Sequence, residues 1–227
     1  MEGCGTLYIV ATPIGNLKDI TYRAVEILSE VNHIAAEDTR KSRILLSHYG
    51  IKSNKLHSYF GPKETVKAQG LLKLLLGGES VALITDAGTP GISDPAGKIV
   101  RLALEEGVKI VPLPGPSALI AALPVSGLDT SSFVYEGFLP VKSGRRRKKL
   151  LELLDGERTV VIYESTHRIL KLLDELEEDA PDRLVVIGRE ITKLFEEFLR
   201  GTATELKEVL VGKKTKGEFV VMIEGKR

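Results

Sequence analysis

The feature that most limits what this chain can fold into is a regular exchange, over roughly the first 115 residues, of short apolar β-rich runs with helical stretches. Leu7-Tyr-Ile-Val10 predicts a strand, Ala11-Thr-Pro-Ile-Gly-Asn16 a loop and Ile20 to Glu30 a helix. The order repeats as His33-Ile-Ala-Ala36, Glu37-Asp-Thr-Arg40 and Lys41 to Tyr49. A helix over Thr65 to Leu76 follows, closed by Gly77-Gly78 ahead of the strand Val81-Ala-Leu-Ile-Thr85. Asp94 before Pro95 predicts the N-cap of a helix running to about Glu106, and Lys109 to Leu113 predicts the next strand. Strands alternating with helices in this way join through right-handed crossovers into a parallel sheet covered on both faces.

The pattern changes near Ser117, which predicts the cap of a helix over Ala118 to Leu123, and Pro124-Val-Ser-Gly127 punctuates the chain where a domain junction belongs. Beyond it, Phe133 to Phe138 is extended, Arg146 to Leu154 helical, and Thr159 to Tyr163 a strand. A helix from His167 to Glu177, a strand Arg183 to Gly188, a helix around Thr204 to Leu210 and a strand Glu218 to Glu224 complete the pattern. With 227 residues, 43% of them hydrophobic, the chain can supply cores for two compact domains, expected at 1–118 and 119–227.

The 32 basic and 31 acidic residues nearly cancel, so attraction to nucleic acid must come from local clustering. The lone Cys4 excludes an internal disulfide and a cysteine-rich metal site, and His33, His48, His57 and His167 show no ligand spacing, so no metal is expected. Met1-Glu-Gly-Cys-Gly5 lacks the pattern of a secretion signal, and no apolar run approaches the roughly 18 residues that cross a bilayer. The expectation is a soluble protein of the cytoplasm.

In an open parallel sheet, ligands bind beyond the carboxyl ends of the strands, where helix N-termini expose unpaired N–H groups. Three loops fall there. Thr12-Pro-Ile-Gly-Asn16 lacks the glycine spacing of a dinucleotide fingerprint, which disfavours NAD. Asp86-Ala-Gly-Thr-Pro-Gly-Ile-Ser-Asp94 combines glycines, hydroxyls, carboxylates and a proline, a composition suited to a rigid loop whose backbone closely approaches a polar ligand. Pro112-Leu-Pro-Gly-Pro-Ser117 restricts the backbone with three prolines around one glycine.

Glu37, Asp38, Glu164 and Glu190 lie in motif loops or at strand ends, where a carboxylate can take a proton, and Arg40, Arg168 and Lys193 can orient phosphate. Asp38 and Thr39 read equally well as helix caps, and Glu190 with Lys193, three apart, as a surface ion pair. Lys142-Ser-Gly-Arg-Arg-Arg-Lys-Lys149 gathers six positive charges in eight residues, which suits either a phosphate backbone or a solvated helix start.

Taken together, these segments resemble the ribosomal RNA small-subunit methyltransferase I family, a branch of the tetrapyrrole methylases. The matching stretches are Leu7 to Leu17 with Asp19-Ile-Thr21, Ala36-Glu-Asp-Thr-Arg40, Asp86 to Pro95, Pro112 to Ala118 and Gly137-Phe-Leu-Pro140. Tyr163-Glu-Ser165 with His167-Arg168, Arg189-Glu190 with Thr192-Lys193, and Lys216-Gly-Glu218 extend the match almost end to end. The resemblance implies an α/β, two-domain tetrapyrrole-methylase-like fold: an N-terminal parallel-sheet domain, a C-terminal mixed α/β domain, and S-adenosyl-L-methionine in the cleft between them. It implies cofactor contacts from Ile14, Asp86, Gly88, Thr89, Pro90, Ile92, Ser93, Ser117, Ala118, Tyr163, Gly217 and Glu218.

The implied reaction is 2′-O-methylation of a decoding-region cytidine in 16S ribosomal RNA, free or in the assembled 30S subunit, by a homodimer. Glu37, Arg40 and Glu164 are then the preferred catalytic residues, and Arg145, Arg146, Arg147, Arg168 and Lys193 the preferred RNA contacts. Thr166 departs from the family's proline, and Gly61-Pro-Lys-Glu64 from its His-Asn-Glu-type segment. Two alternatives stay open: a same-fold methyltransferase acting on a porphyrinoid or a protein side chain, and a non-catalytic RNA-binding module using the basic segment alone. Glu37-Asp-Thr-Arg40 and Tyr163-Glu-Ser165 resemble the RNA branch more than its relatives.

Overall fold

The computed structural model of the chain describes residues 3–52, 55–61, 63–212 and 217–226. Its internal contacts divide it into two units, Met1–Ser117 and Ala118–Arg227.

In the first unit the apolar runs become β1 (Thr6–Val10), β2 (His33–Ala36), β4 (Val81–Ile84) and β5 (Lys109–Leu113), joined by a short edge strand β3 (Leu56–Ser58). All pair in parallel, in the order β3-β2-β4-β1-β5. Helices α1 (Tyr22–Glu30), α2 (Thr39–His48), α3 (Glu64–Leu76) and α4 (Gly97–Glu105) connect them. Because side chains alternate across a strand, Leu7, Ala35, Val81 and Leu83 pack on one face with Leu71 and Leu75 of α3 and Ile99 of α4. Val10, Ile34, Ala82 and Ile84 pack on the other with Leu28 of α1 and Leu46 of α2. Every residue of β4 is buried, as a central parallel strand requires. Each fully buried leucine or isoleucine contributes about 1.5–3 kcal/mol.

Two helix starts of this unit follow local chemistry. The Thr21 hydroxyl accepts from Ala24 N and the Asp38 carboxylate from Arg40 N, capping α1 and α2. The expected Asp94 cap of α4 does not form. That helix begins at Gly97, its cap residue Ala96 makes no side-chain bond, and Ile99 N instead donates to the buried Tyr59 hydroxyl at 3.3 Å. At the amino edge of the sheet two of the scattered histidines meet: His33 Nδ1 is 2.8 Å from His57 Nε2, and His33 Nε2 is 2.7 Å from Glu79 Oε2.

The second unit opens with α5 (Ala118–Ala122) and builds a mixed sheet from β6 (Phe133–Phe138), β7 (Thr159–Ser165), β8 (Val185–Arg189), β9 (Glu197–Gly201) and β10 (Glu218–Ile223). The order is β6-β7-β10-β8-β9, with only β6 and β7 parallel. Helices α6 (Ser143–Leu154), α7 (Ile169–Asp179) and α8 (Ala203–Val211) bury Leu150, Leu172, Leu176 and Leu206 against Ile162, Ile187 and Val221. The α8 start carries a full capping box between Thr202 and Glu205. On the opposite face, Leu119 N of α5 donates to the Tyr163 hydroxyl at 3.0 Å.

The basic segment at the start of α6 changes meaning here. Arg146, expected to meet RNA, is 1% exposed. Its Nε donates to Glu175 at 2.7 Å and its Nη1 to Glu164 at 2.9 Å, while Arg168 Nε lies 3.4 Å from the second Glu164 oxygen. Arg168 also donates to the Leu139 carbonyl at 2.7 Å. Glu164, expected as a catalytic candidate, is thus a buried counterion, and Arg146 and Arg168 are its partners. Arg147 is forked between Glu178 and Asp179 at 2.8 and 2.7 Å, whereas Arg145 is exposed. Removing one partner from a buried ionic cluster leaves uncompensated charge and costs about 3–5 kcal/mol. Arg146→Ala should therefore lower stability by about that amount in urea titrations, while Arg145→Ala stays within about 0.5 kcal/mol of the parent; equal effects would contradict the assignment.

Candidate functional site

The site is built where β1, β2, β4 and β5 end. Past β1, Thr12 N donates to Gly88 O and Gly88 N to Thr12 O, each at 2.9 Å, a two-bond ladder that ties the first loop to the Asp86–Asp94 loop. Gly88 has φ +85°, a left-handed conformation that favours glycine, and a Cβ there would stand 3.5 Å from Ile14 Cγ2. The buried Thr12 hydroxyl donates to Thr85 O at 2.9 Å. Thr85 in turn donates through its own hydroxyl to Glu37 Oε2 at 2.8 Å, and Asp86 N adds a second bond to the same oxygen at 3.3 Å. Thr89 Oγ1 donates to Pro116 O at 3.0 Å, which brings in the loop after β5. A Cβ on Gly115 would come 2.7 Å from the Ala11 Cβ, so that loop rests directly on the end of β1.

The first turn of α2 completes the edge. Asp38 N donates to Asp86 Oδ1 at 3.0 Å, and Lys41 Nζ to Asp86 Oδ2 at 2.8 Å. Arg40, with an 85% exposed side chain, folds back on Asp38 through two bonds of 2.8 and 3.1 Å. Those bonds hold the Asp38 carboxyl at about 2. Asp38 is therefore occupied as a helix cap and Arg40 as its counterion. Asp94, freed from the expected capping role, lies within hydrogen-bonding reach of the Thr85 side chain, near Glu37 and Asp86. Burial first, and then the two neighbouring carboxylates, push its pKa upward against that interaction.

Ile14, Glu37, Asp86, Gly88, Thr89, buried Pro90 and half-buried Ser117 thus converge at one edge, with Ile92 and Ser93 exposed at the outer turn of the loop. The remaining candidates lie in the second unit. Ala118 opens α5, and the Tyr163 hydroxyl is bonded to that helix. Gly217, at φ +117°, would place a Cβ 2.6 Å from Glu190 Cγ. Glu190 holds Glu218 N at 3.1 Å and Lys193 Nζ at 2.8 Å, and Lys193 also reaches Glu218 at 3.0 Å. The ion-pair reading of Glu190 and Lys193 describes this geometry. Thr166, read in the sequence as a departure from proline, donates its hydroxyl to Gly217 O at 2.7 Å, a bond proline lacks. Lys216 and Pro62 lie outside the described residues. Reading the sequence missed Lys41 and Thr85 as partners of the edge; their only signal is adjacency to Arg40 and Asp86.

A carboxyl whose pKa is raised on folding binds its proton more tightly in the native state, so its contribution to stability falls as pH rises through that value. Asp94→Asn keeps a hydrogen-bonding side chain of the same shape beside Thr85 but carries no charge. In thermal melts it should be more stable than the parent at about pH 7 and lose that advantage below about pH 4; a parent that is more stable at both values would remove the strain assigned to Asp94.

The tetrapyrrole (corrin/porphyrin) methylase profile matches residues 6–207. The ribosomal RNA small subunit methyltransferase I of Haemophilus influenzae is 49% identical over 227 residues, covering 98% of this chain and 79% of the relative. That of Pasteurella multocida is 50% identical, covering 98% and 80%. Among solved structures, the methyltransferase CobJ superposes with a TM-score of 0.72 at 19% identity, covering 98% of this chain and 96% of that one. Uroporphyrin-III C-methyl transferase from Thermus thermophilus, complexed with S-adenyl homocysteine, does so with 0.67 at 19% identity, covering 97% of each. At such identities the two superpositions carry the fold, an α/β chain with one parallel and one mixed sheet, and the two relatives carry the branch. The chain belongs to the tetrapyrrole methylase family, in its ribosomal RNA small subunit methyltransferase I branch.

Proposed function

We propose that the chain is an S-adenosyl-L-methionine-dependent methyltransferase that modifies the RNA of the small ribosomal subunit at a cytidine ribose 2′-oxygen, acting in the cytoplasm as a homodimer. The observation that carries the reading is Glu37: it stands at the end of β2 with one carboxylate oxygen fixed by Thr85 and the Asp86 amide. A carboxylate oriented in this way suits the removal of a proton from a weakly acidic hydroxyl, which needs a base as the new bond forms. Relatives sharing about half of its residues bear the name of a ribosomal RNA methyltransferase.

The edge also suits the cofactor. Glu37, Asp86 and Asp94 set three carboxylates close together, and of these Asp86 has a lysine partner, which complements a sulfonium cation. When bound, the sulfonium supplies an electrophilic methyl group. The protein's own contribution is placement: the Thr12–Gly88 ladder holds the loop, Gly88 and Gly115 keep the backbone close, and Glu37 takes the hydroxyl proton through its second oxygen. Positioning of this kind accounts for much of the rate in a displacement that needs one alignment. The Asp86 side chain is turned toward the first turn of α2, where Asp38 N and Lys41 donate to it, so its cofactor contact belongs to its backbone.

Incubation of unmodified small subunits with labelled S-adenosyl-L-methionine, followed by nuclease mapping, should place the label on a cytidine ribose; label on a base, or none in RNA, would sink the ribose chemistry. Glu37→Gln should slow single-turnover transfer at saturating cofactor by about 10²–10⁴-fold. In calorimetry with the cofactor, Gly115→Val should weaken binding by about tenfold or more, and Ser117→Ala by much less. The opposite order would contradict backbone-led binding.

A further inference from the structure

Beside Glu37, on the α2 side of the same edge, lies an open pocket of about 200 Å³. Pro13 and Leu17 of the first loop line it together with Ile44 and Lys41 of α2, and Asp86 contributes at the strand end. Its apolar lining is built firmly. Leu17 opens a single 3₁₀ turn whose cap, Asn16, accepts from Lys18 N at 3.1 Å, and the Leu17 carbonyl accepts from the Tyr49 hydroxyl of the α2 terminus. Ile44 is 69% exposed on a helix that otherwise turns polar groups outward, so its apolar surface faces open space beside the pocket.

Charge around the pocket is unusual. Arg40, Lys41 and Arg43 crowd the first half of α2, where the helix macrodipole disfavours cations. Asp38 and Asp86 offset Arg40 and Lys41, and Arg43 is exposed. Arg43 is thus the cation of this turn placed to meet an anionic group from solution. The volume is below the roughly 300–1,000 Å³ of sites that enclose a drug-sized ligand, which disfavours a macrocycle and suits one ring.

Resting on the reading that RNA is the substrate, the geometry points to this pocket as the seat of a single unstacked pyrimidine, with Leu17 and Ile44 against its ring and Arg43 meeting a flanking phosphate. Enzymes that do chemistry on a base hold it extruded between aromatic or apolar side chains, and the same grip on a base would fix the ribose attached to it. Asp86 Oδ1 and Oδ2 each accept one bond, and a carboxylate oxygen has room for a second. An exocyclic amine, as on cytosine, can fill that room. The carbonyl at the same place on uracil would face a carboxylate, so Asp86 sets the choice of base.

Two single-stranded oligoribonucleotides, identical but for one cytidine or uridine, test this against the purified chain by fluorescence anisotropy, with S-adenosylhomocysteine binding and melting temperature as controls. The parent should bind the cytidine strand about tenfold more tightly. Ile44→Glu, at an exposed position, should weaken that strand by about tenfold or more while melting and S-adenosylhomocysteine binding hold. Asp86→Asn should shrink the preference between the strands. Unchanged affinity in Ile44→Glu, read on the cytidine strand or, for a parent that binds only intact small subunits, on those, or equal binding of both strands by the parent, overturns the pocket while leaving RNA as the substrate. A parent that binds S-adenosylhomocysteine but neither strand nor intact small subunits overturns the RNA reading and the pocket with it.

Discussion

The first unit depends on the pair of backbone bonds between Thr12 and Gly88. Parallel strands are buried on both faces, so chemistry can be placed only at their ends, and loops at strand ends are free to wander unless something pairs them. The Thr12–Gly88 ladder does so across β1 and β4. The Thr12 hydroxyl then fixes Thr85, Thr85 fixes Glu37, Asp86 fixes the start of α2, and Thr89 fixes the loop after β5. One short ladder therefore orients four loops, and a carboxylate held by rigid neighbours is prepared before any ligand arrives.

The second unit shows why a matching motif does not assign a role. Tyr163-Glu-Ser165 and His167-Arg168 carry part of the family resemblance, yet Glu164 and Arg168 are turned inward around Arg146, and Tyr163 anchors α5. Similarly, Glu190, Lys193 and Glu218 close a tight corner in which Glu190 and Thr192 adopt φ of +49° and +70°. These residues shape the unit through contacts with one another.

How much could be read in advance follows from the range of the forces involved. The core strands of the first unit and most of its helices were legible because apolar periodicity and punctuation by glycine and proline act within a few residues. The edge strands β3 and β9 were not. Leu56-His-Ser58 is three residues long, and Glu197-Phe-Leu-Arg-Gly201 has no clean alternation. The α4 start was misplaced because its N–H is satisfied by Tyr59, 40 positions away, and no local pattern announces such a partner. The three loops of the edge were visible one by one. Their convergence on Glu37 depends on strand order, which puts β4 between β1 and β2. Arg146 is the sharpest case: six cations within eight residues look alike in a sequence, and only the phase of α6 turns one of them into the core.

That phase bears on how the second unit assembles. A guanidinium leaving water gains little from one carboxylate alone, and its desolvation is offset only once Glu164 on β7 and Glu175 on α7 are both in place. Docking α6 onto the sheet before α7 leaves Arg146 with one of its two carboxylates, and docking α7 before α6 leaves Glu175 without its guanidinium. The cluster therefore acts as a logical AND in folding: three elements from separate stretches of chain commit together, and half-assembled intermediates of this unit are selectively disfavoured.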